Sequence, residues 1–240
     1  MDPRVDVIWL RPETGSRGPK AAYTRDDVAE TAVRIADEEG IGAVTMRRIA
    51  AELEVGVASI YRYVRKKEEL LELMLDAVMA EAIPPEPTGD WRADLRELAQ
   101  RQRGLWLRHH WFLGVALRPT LGPNSLRWTE GALALFDGLG FTPDELVLGM
   151  GTVTSFVYGH MLSEVTEAEA ARHGGLTHEE WMAKQSPYGP VIIESGLYPR
   201  VSSVMVEASL PHAADRHERA FAWGLDQVIA GLAAKLPSGH

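Results

Sequence analysis

Residues 46–65, MRRIAAELEVGVASIYRYVR, constrain this chain more than any other stretch. Ile49 and Leu53 fall one turn apart on a first short helix, and Val55 fills the turn after it. Ile60, with Tyr63 or Val64, faces the same side from a second helix, while Ala50 stands where the two cross most closely and a larger side chain would push them apart. So few apolar side chains need a third wall, and the segment before them supplies it. Thr24 can cap a helix whose positive end faces Asp26 and Asp27; Val28, Ala32, Ile35 and Ala36 then recur at helical spacing until Gly40 stops it. Thr45 caps the next helix, to about Leu53; a third is expected over 57–64 and a fourth from Lys67 to about Ala82. Above such a core the outward side chains of the third helix are placed to enter a major groove.

Charge is distributed in agreement with that shape. A net charge of −9 argues against a nucleic-acid partner, but Val44–Lys67 holds six basic residues (Arg47, Arg48, Arg62, Arg65, Lys66, Lys67) against Glu52 and Glu54. That stretch is therefore +4 and the remainder −13. Charge alone would equally suit a solvated helix face; a basic island in an acidic chain also binds phosphates locally while the rest resists nonspecific adhesion.

From Thr24 to Met79 the sequence resembles the TetR family of bacterial repressors, in ADEEG, VTMRRIAAEL and SIYRYVRKKEELLELMLD. The resemblance implies an all-α protein: a three-helix DNA-binding module with a helix-turn-helix, a larger C-terminal helical domain that holds a small ligand, and a homodimer. Position by position, it implies that Thr45 caps its helix and touches a phosphate, that Arg47 reaches a base edge, and that Arg48 contacts the backbone. Val57 and Ser59 would meet base edges or thymine methyls, Tyr61 and Lys67 phosphates, and Arg62 and Tyr63 would extend the surface; spacing equally makes Tyr63 a core residue. Two positions depart from the family. Glu54 replaces the usual turn glycine, where a left-handed backbone costs about 1–2 kcal/mol, and Gly56 replaces the usual Ser or Thr cap of the third helix.

Residues 1–22 form an expected basic arm, punctuated by Pro3, Pro12, Gly15, Gly18 and Pro19. Its Arg11, Arg17 and Lys20 suit an adjacent minor groove, while Ile8, Trp9 and Leu10 equally suit packing. The expected division is arm 1–22, DNA-binding domain 23–82, proline-rich linker 83–90 (IPPEPTGD), and ligand-binding and dimerisation domain 91–240. Helices are expected near 91–109, 111–117, 123–138, 143–171, 177–185, 199–209 and 213–235, with VII at 191–193 the single strand-like hint.

Residues 146–163 contain no Asp, Glu, Lys or Arg, close to the length of a membrane span. Thr152, Thr154, Ser155, Tyr158, His160 and three glycines favour instead a helix buried on most sides of a soluble protein. Gly151, Ser155 and Gly159 make a row of small residues for a neighbouring helix. On the last helix Phe221, Leu225, Val228 and Leu232 form a stripe, with Ala220 and Gly224 beside it. Family resemblance pairs these two helices with their copies in a four-helix dimer bundle. Trp106, His110, Phe112, Trp128, Met150, Thr154, Tyr158 and Trp181 are the expected pocket for an apolar or aromatic effector.

No cysteine is present, which fits a reducing cytoplasm, and the opening MDPRVDVIWLRPE lacks the apolar run of a secretory signal. Neither a nucleophile–base pair, a carboxylate dyad nor a Gly-rich phosphate loop stands out, so no catalytic residue and no cofactor is expected. Neither is a metal site: His109 and His110 diverge on a helix, His173 and His178 flank a GG turn, and no HExxH-type spacing occurs. The expected function is a regulator released from a palindromic DNA operator by a small molecule; the alternative is a helical binding protein or enzyme with no DNA role.

Overall fold

The computed structural model describes residues 7–12, 23–115, 120–172 and 175–236. Among them there is no strand. The helices are α1 (Arg25–Glu39), α2 (Met46–Glu52), α3 (Val57–Ile60), α4 (Lys67–Met79), α5 (Trp91–Arg108), α6 (Phe112–Val115), α7 (Pro123–Ala134), α8 (Pro143–Arg172), α9 (His178–Gln185), α10 (Gly189–Glu194), α11 (Pro199–Glu207) and α12 (Arg216–Ala233). The VII segment lies in α10, started by Pro190 in its first turn, rather than in a strand. A three-residue apolar run carries no period, so sequence could not separate the two.

One compact unit comprises Met1–Met150 with Leu236–His240 and the other Gly151–Lys235. In the first, Thr24 and Asp27 form a reciprocal capping box that starts α1, and Gly40, at φ +85°, ends it. Val28, Ala32, Ile35 and Ala36 are buried as the spacing predicts. The wall facing them comes from α4, through Leu70, Leu73, Met74 and Val78.

Helix α4 also packs against α7, and the joint is polar. Asp76, on α4 and buried, accepts hydrogen bonds from the backbone N–H of Ser125 (2.8 Å) and Asn124 (3.3 Å), so it caps α7 from outside that helix. Gly122 makes the approach possible: a Cβ there would lie 2.2 Å from Asp76 Oδ1 and 2.7 Å from the Trp9 ring. A second polar joint ties α1 to the end of α5. Asp37 Oδ1 accepts from Trp111 Nε1 at 2.7 Å and lies 2.8 Å from His109 Nδ1, while Glu81 Oε1 lies 3.2 Å from His109 Nε2.

The described part of the N-terminal arm packs. Ile8 is fully buried, and Arg25 donates to the carbonyls of Ile8 (2.9 Å) and Arg11 (2.8 Å). Arg11 itself is fork-bonded to both carboxylate oxygens of Glu69 (2.9 and 2.8 Å) and to the Tyr63 carbonyl. The minor-groove role considered for Arg11 is thus replaced by an internal ion pair; Arg17 and Lys20 lie outside the described residues.

In the second unit α8 buries one stripe, Val153, Val157, Met161 and Val165, instead of most of its surface. Gly151, Ser155, Gly159 and Leu162 are exposed on other faces. The helix is long and apolar enough to cross a membrane, but its buried share is the narrow stripe of a surface helix. Helix α12 answers with Phe221, Leu225, Ile229 and Leu232; Ile229 takes the place expected for Val228 because the stripe steps by four before it steps by three. Gly224 lets the helices close up, since a Cβ there would lie 2.5 Å from the Phe156 ring. Helices α9, α10 and α11 contain no buried residue and expose Trp181, Val191, Val204 and Val206.

Candidate nucleic-acid interface

Helices α2 and α3 are held by a core of Ile49, Ala50, Ile60, Tyr63 and Val64, all nearly or fully buried. Burying an isoleucine of this kind stabilises by about 1.5–3 kcal/mol, so two of them suffice to fix a short helix. Thr45 caps α2 by accepting from Arg48 N–H at 3.1 Å. The turn closes on Val55 N–H donating to the Ala50 carbonyl at 2.9 Å. Glu54 sits in it at φ +54°, the one non-glycine residue with positive φ among the described residues. Gly56 offers α3 no side-chain cap. The α-helical part of the third element is accordingly shorter than predicted: it ends at Ile60 and continues as a hydrogen-bonded turn, Tyr63 and Val64 N–H both donating to the Ile60 carbonyl.

Thr45, Arg47, Val57, Tyr61, Arg62 and Lys67 are exposed, and Ser59 is half-buried. Tyr61 is 51% exposed. None of Arg47, Arg62, Lys66 and Lys67 has an ion-pair partner among the described residues. The side chains that stand out from the α2–α3 surface are therefore uncommitted cations, a phenol and small apolar groups.

Two of the residues expected at the surface have internal partners. Tyr63 is 5% exposed and belongs to the core, because it falls one turn after Ile60 and on the same side. Arg48 is held by Glu39 (2.7 Å) and by Glu52, which also binds Arg34 at 2.6 Å. Hydrogen bonds from Arg48 and Arg34 hold the Glu52 carboxyl below its usual range, and those that Arg48 donates to Glu39 and Glu52 raise its guanidinium further. Sequence could not show this clamp, since Glu39 belongs to α1.

Of the residues expected to take a ligand, Trp106, His110 and Phe112 come together: the Trp106 and Phe112 rings stack at 6.3 Å, and His110 Nδ1 lies 3.3 Å from the Trp106 carbonyl. Trp128 and Met150 are buried on α7 and α8 of the same unit. Thr154, Tyr158 and Trp181 belong to the second unit, where Trp181 is 50% exposed on a helix with no buried residue, so it lines no enclosed site within that unit. Gln102, which sequence reading passed over, is buried one turn before Trp106; its Oε1 and the Trp128 Nε1 make no hydrogen bond among the described residues. A pocket of about 150 Å³ beside Pro87, Trp91, Asp94, Leu135 and Leu139 contains none of the expected ligand residues.

Known proteins share both halves of this arrangement. Residues 28–74 match the family described as "Bacterial regulatory proteins, tetR family", and residues 83–236 match "Tetracyclin repressor-like, C-terminal domain". The HTH-type transcriptional repressor DrrR1 of Streptomyces coeruleorubidus is 38% identical over 231 residues, 95% of this chain and 84% of that protein. The tetracycline repressor protein class A of Escherichia coli is 26% identical, over 87% of this chain and 89% of its own. Among solved structures, the Streptomyces coelicolor protein ActR in complex with actinorhodin superposes with a TM-score of 0.75 at 29% identity, covering 92% of this chain and all (100%) of that one.

Proposed function

The chain belongs to the TetR family of transcriptional regulators, and on that premise we propose that two copies grip a palindromic operator through the exposed α2–α3 surfaces until an apolar or aromatic molecule releases them. It is a ligand-responsive DNA-binding repressor and not an enzyme. The observation that carries the binding mode is the row Arg47, Val57, Tyr61, Arg62 and Lys67, exposed above a buried core. Arg47 is the proposed base reader, since a guanidinium pairs bidentately with guanine; Thr45, Tyr61 and Lys67 hold phosphates, and Val57 and Ser59 approach base edges. Residues 23–82 serve as the DNA-binding domain, 83–90 as linker and 91–240 as sensor and dimer domain.

The dimer is proposed on α8 and α12. The exposed Gly151, Ser155 and Gly159 leave room for a partner helix, and Leu162 and Trp223 (70% exposed) offer apolar surface that a lone chain leaves in water. This use of α8 as a subunit face takes the place of a membrane span and fits a protein at work on DNA in the cytoplasm. An effector site around Trp106, His110, Phe112, Trp128 and Met150 is supported by the aromatic stack and by one unpaired buried donor, Trp128 Nε1, and one acceptor, Gln102 Oε1. Polar groups so placed select a ligand carrying both an acceptor and a donor on an apolar frame.

The test is fluorescence anisotropy on a duplex from the region upstream of the gene. Arg47→Ala should weaken binding by about 5–150-fold, the worth of one bidentate base contact, and Tyr61→Phe should weaken it less, whatever the base sequence. Affinity insensitive to both changes would reject this reading head. For the effector arm, aromatic metabolites should quench tryptophan fluorescence in the wild type and less in Trp128→Phe.

A further inference from the structure

Helices α8 and α12 bring two imidazoles and a carboxylate to one point. His160 and Glu164 stand one turn apart on α8, and His217 reaches in from α12; one ligand atom from each lies within 4.8 Å of the other two. All three are shielded, with side-chain exposures of 14%, 12% and 25%. We infer that His160, Glu164 and His217 form a binding site for a divalent transition cation of the zinc type, which ties α8 to α12 within one chain.

Donor chemistry selects the ion. Two nitrogens and one oxygen suit zinc and its neighbours, whereas calcium and magnesium take oxygen ligands almost throughout. Ligand atoms at zinc distances in a tetrahedron stand about 3.4 Å apart, so side-chain rotation of roughly an ångström gathers the three onto one ion and leaves a fourth position for water. The surroundings favour a cation. Glu167 Oε2 lies 3.1 Å from His217 Nε2, the kind of carboxylate that orients metal-bound histidines, and the same carboxylate pairs with Arg216. Glu164, Glu167 and Arg216 together carry one negative charge. On its other side the His160 ring rests against Phe221 (5.2 Å) and Phe156 (6.1 Å), which limits access of water. No spacing rule on a single helix reveals the site, because the third ligand is supplied by the last helix. The inference is independent of the regulatory reading, since every ligand comes from one chain.

Full-length protein stripped with EDTA, then titrated with zinc by calorimetry and with cobalt by visible absorption, tests it. One equivalent should bind per chain, cobalt should give d–d bands of a low-symmetry nitrogen–oxygen site, and zinc should raise the melting temperature when present at about 100 times its Kd. His160→Gln and His217→Gln should each weaken zinc by about 100-fold or more, and Glu167→Gln by about 10–100-fold, with metal-free melting temperatures close to wild type. Should the histidine variants fold poorly, the near-isosteric changes Glu164→Gln and Glu167→Gln carry the same decision. A Kd weaker than about 1 mM, or zinc affinity indifferent to these substitutions, overturns the site.

Discussion

Replacing Asp76 by alanine should loosen the joint between the helix that leaves the DNA-binding module and the body. Asp76 is 3% exposed and accepts from two backbone N–H groups at the start of α7, at 2.8 and 3.3 Å. A hydrogen bond to a charged group is worth about 1.5–3 kcal/mol, and orphaning a buried N–H costs about 1–3 kcal/mol. Weighting the longer contact at half and allowing for the desolvation of Asp76 that is recovered, the loss comes to about 2–4 kcal/mol. For a chain of this size that lowers the melting temperature by roughly 5–12 °C, readable by circular dichroism. Asp76→Asn keeps one acceptor oxygen and should lose about half as much. Gly122→Ala strikes the same joint, because its Cβ would lie 2.2 Å from Asp76 Oδ1. In the double variant most of that clash is gone, so the two losses should sum to less than additively. An Asp76→Ala protein melting within about 1 °C of wild type, or strict additivity in the cycle, would refute the reasoning.

Three further outcomes follow from the same contacts. Burial pushes the Glu69 carboxyl up, but hydrogen bonds from Arg11 and from Arg65 N–H outweigh it and hold the folded value below the ordinary 4.5. Its stabilisation is therefore fully present above that pH and lost as pH falls through the folded value, so the gap in melting temperature between wild type and Glu69→Gln should narrow below about pH 4.5. Tyr63→Phe should leave DNA affinity within about twofold, whereas Tyr63→Ala should cost about 3–5 kcal/mol of stability, measured by urea unfolding; a core residue predicts that pattern and a phosphate ligand its reverse. Lys67→Ala should reduce the slope of log affinity against log salt by about 0.9, the signature of one lost phosphate, while Arg48→Ala should leave the slope unchanged because Glu39 and Glu52 already neutralise it.

The local order of this protein could be read directly from its residues. Thr24 and Thr45 as caps, Gly40 as a stop and the Ile49–Ile60 core are determined within a turn or two of chain, where periodicity and capping act, while the left-handed turn at Glu54 was legible only through the family resemblance. The all-α class and the exposed α2–α3 surface followed from these. What needed the tertiary structure was every pairing across distance. Arg11 meets Glu69, Arg48 meets Glu39, Asp76 caps α7, and His217 joins His160, each between residues that no local period connects. Tyr63 shows the boundary between the two kinds of information: spacing allowed both core and surface, and the choice fell to the packing around it. Side chains with charge and length can reach several partners at similar cost, so only the assembled neighbourhood selects one. Apolar side chains have a single general preference, leaving water, and helical spacing already declares which of them can do so together.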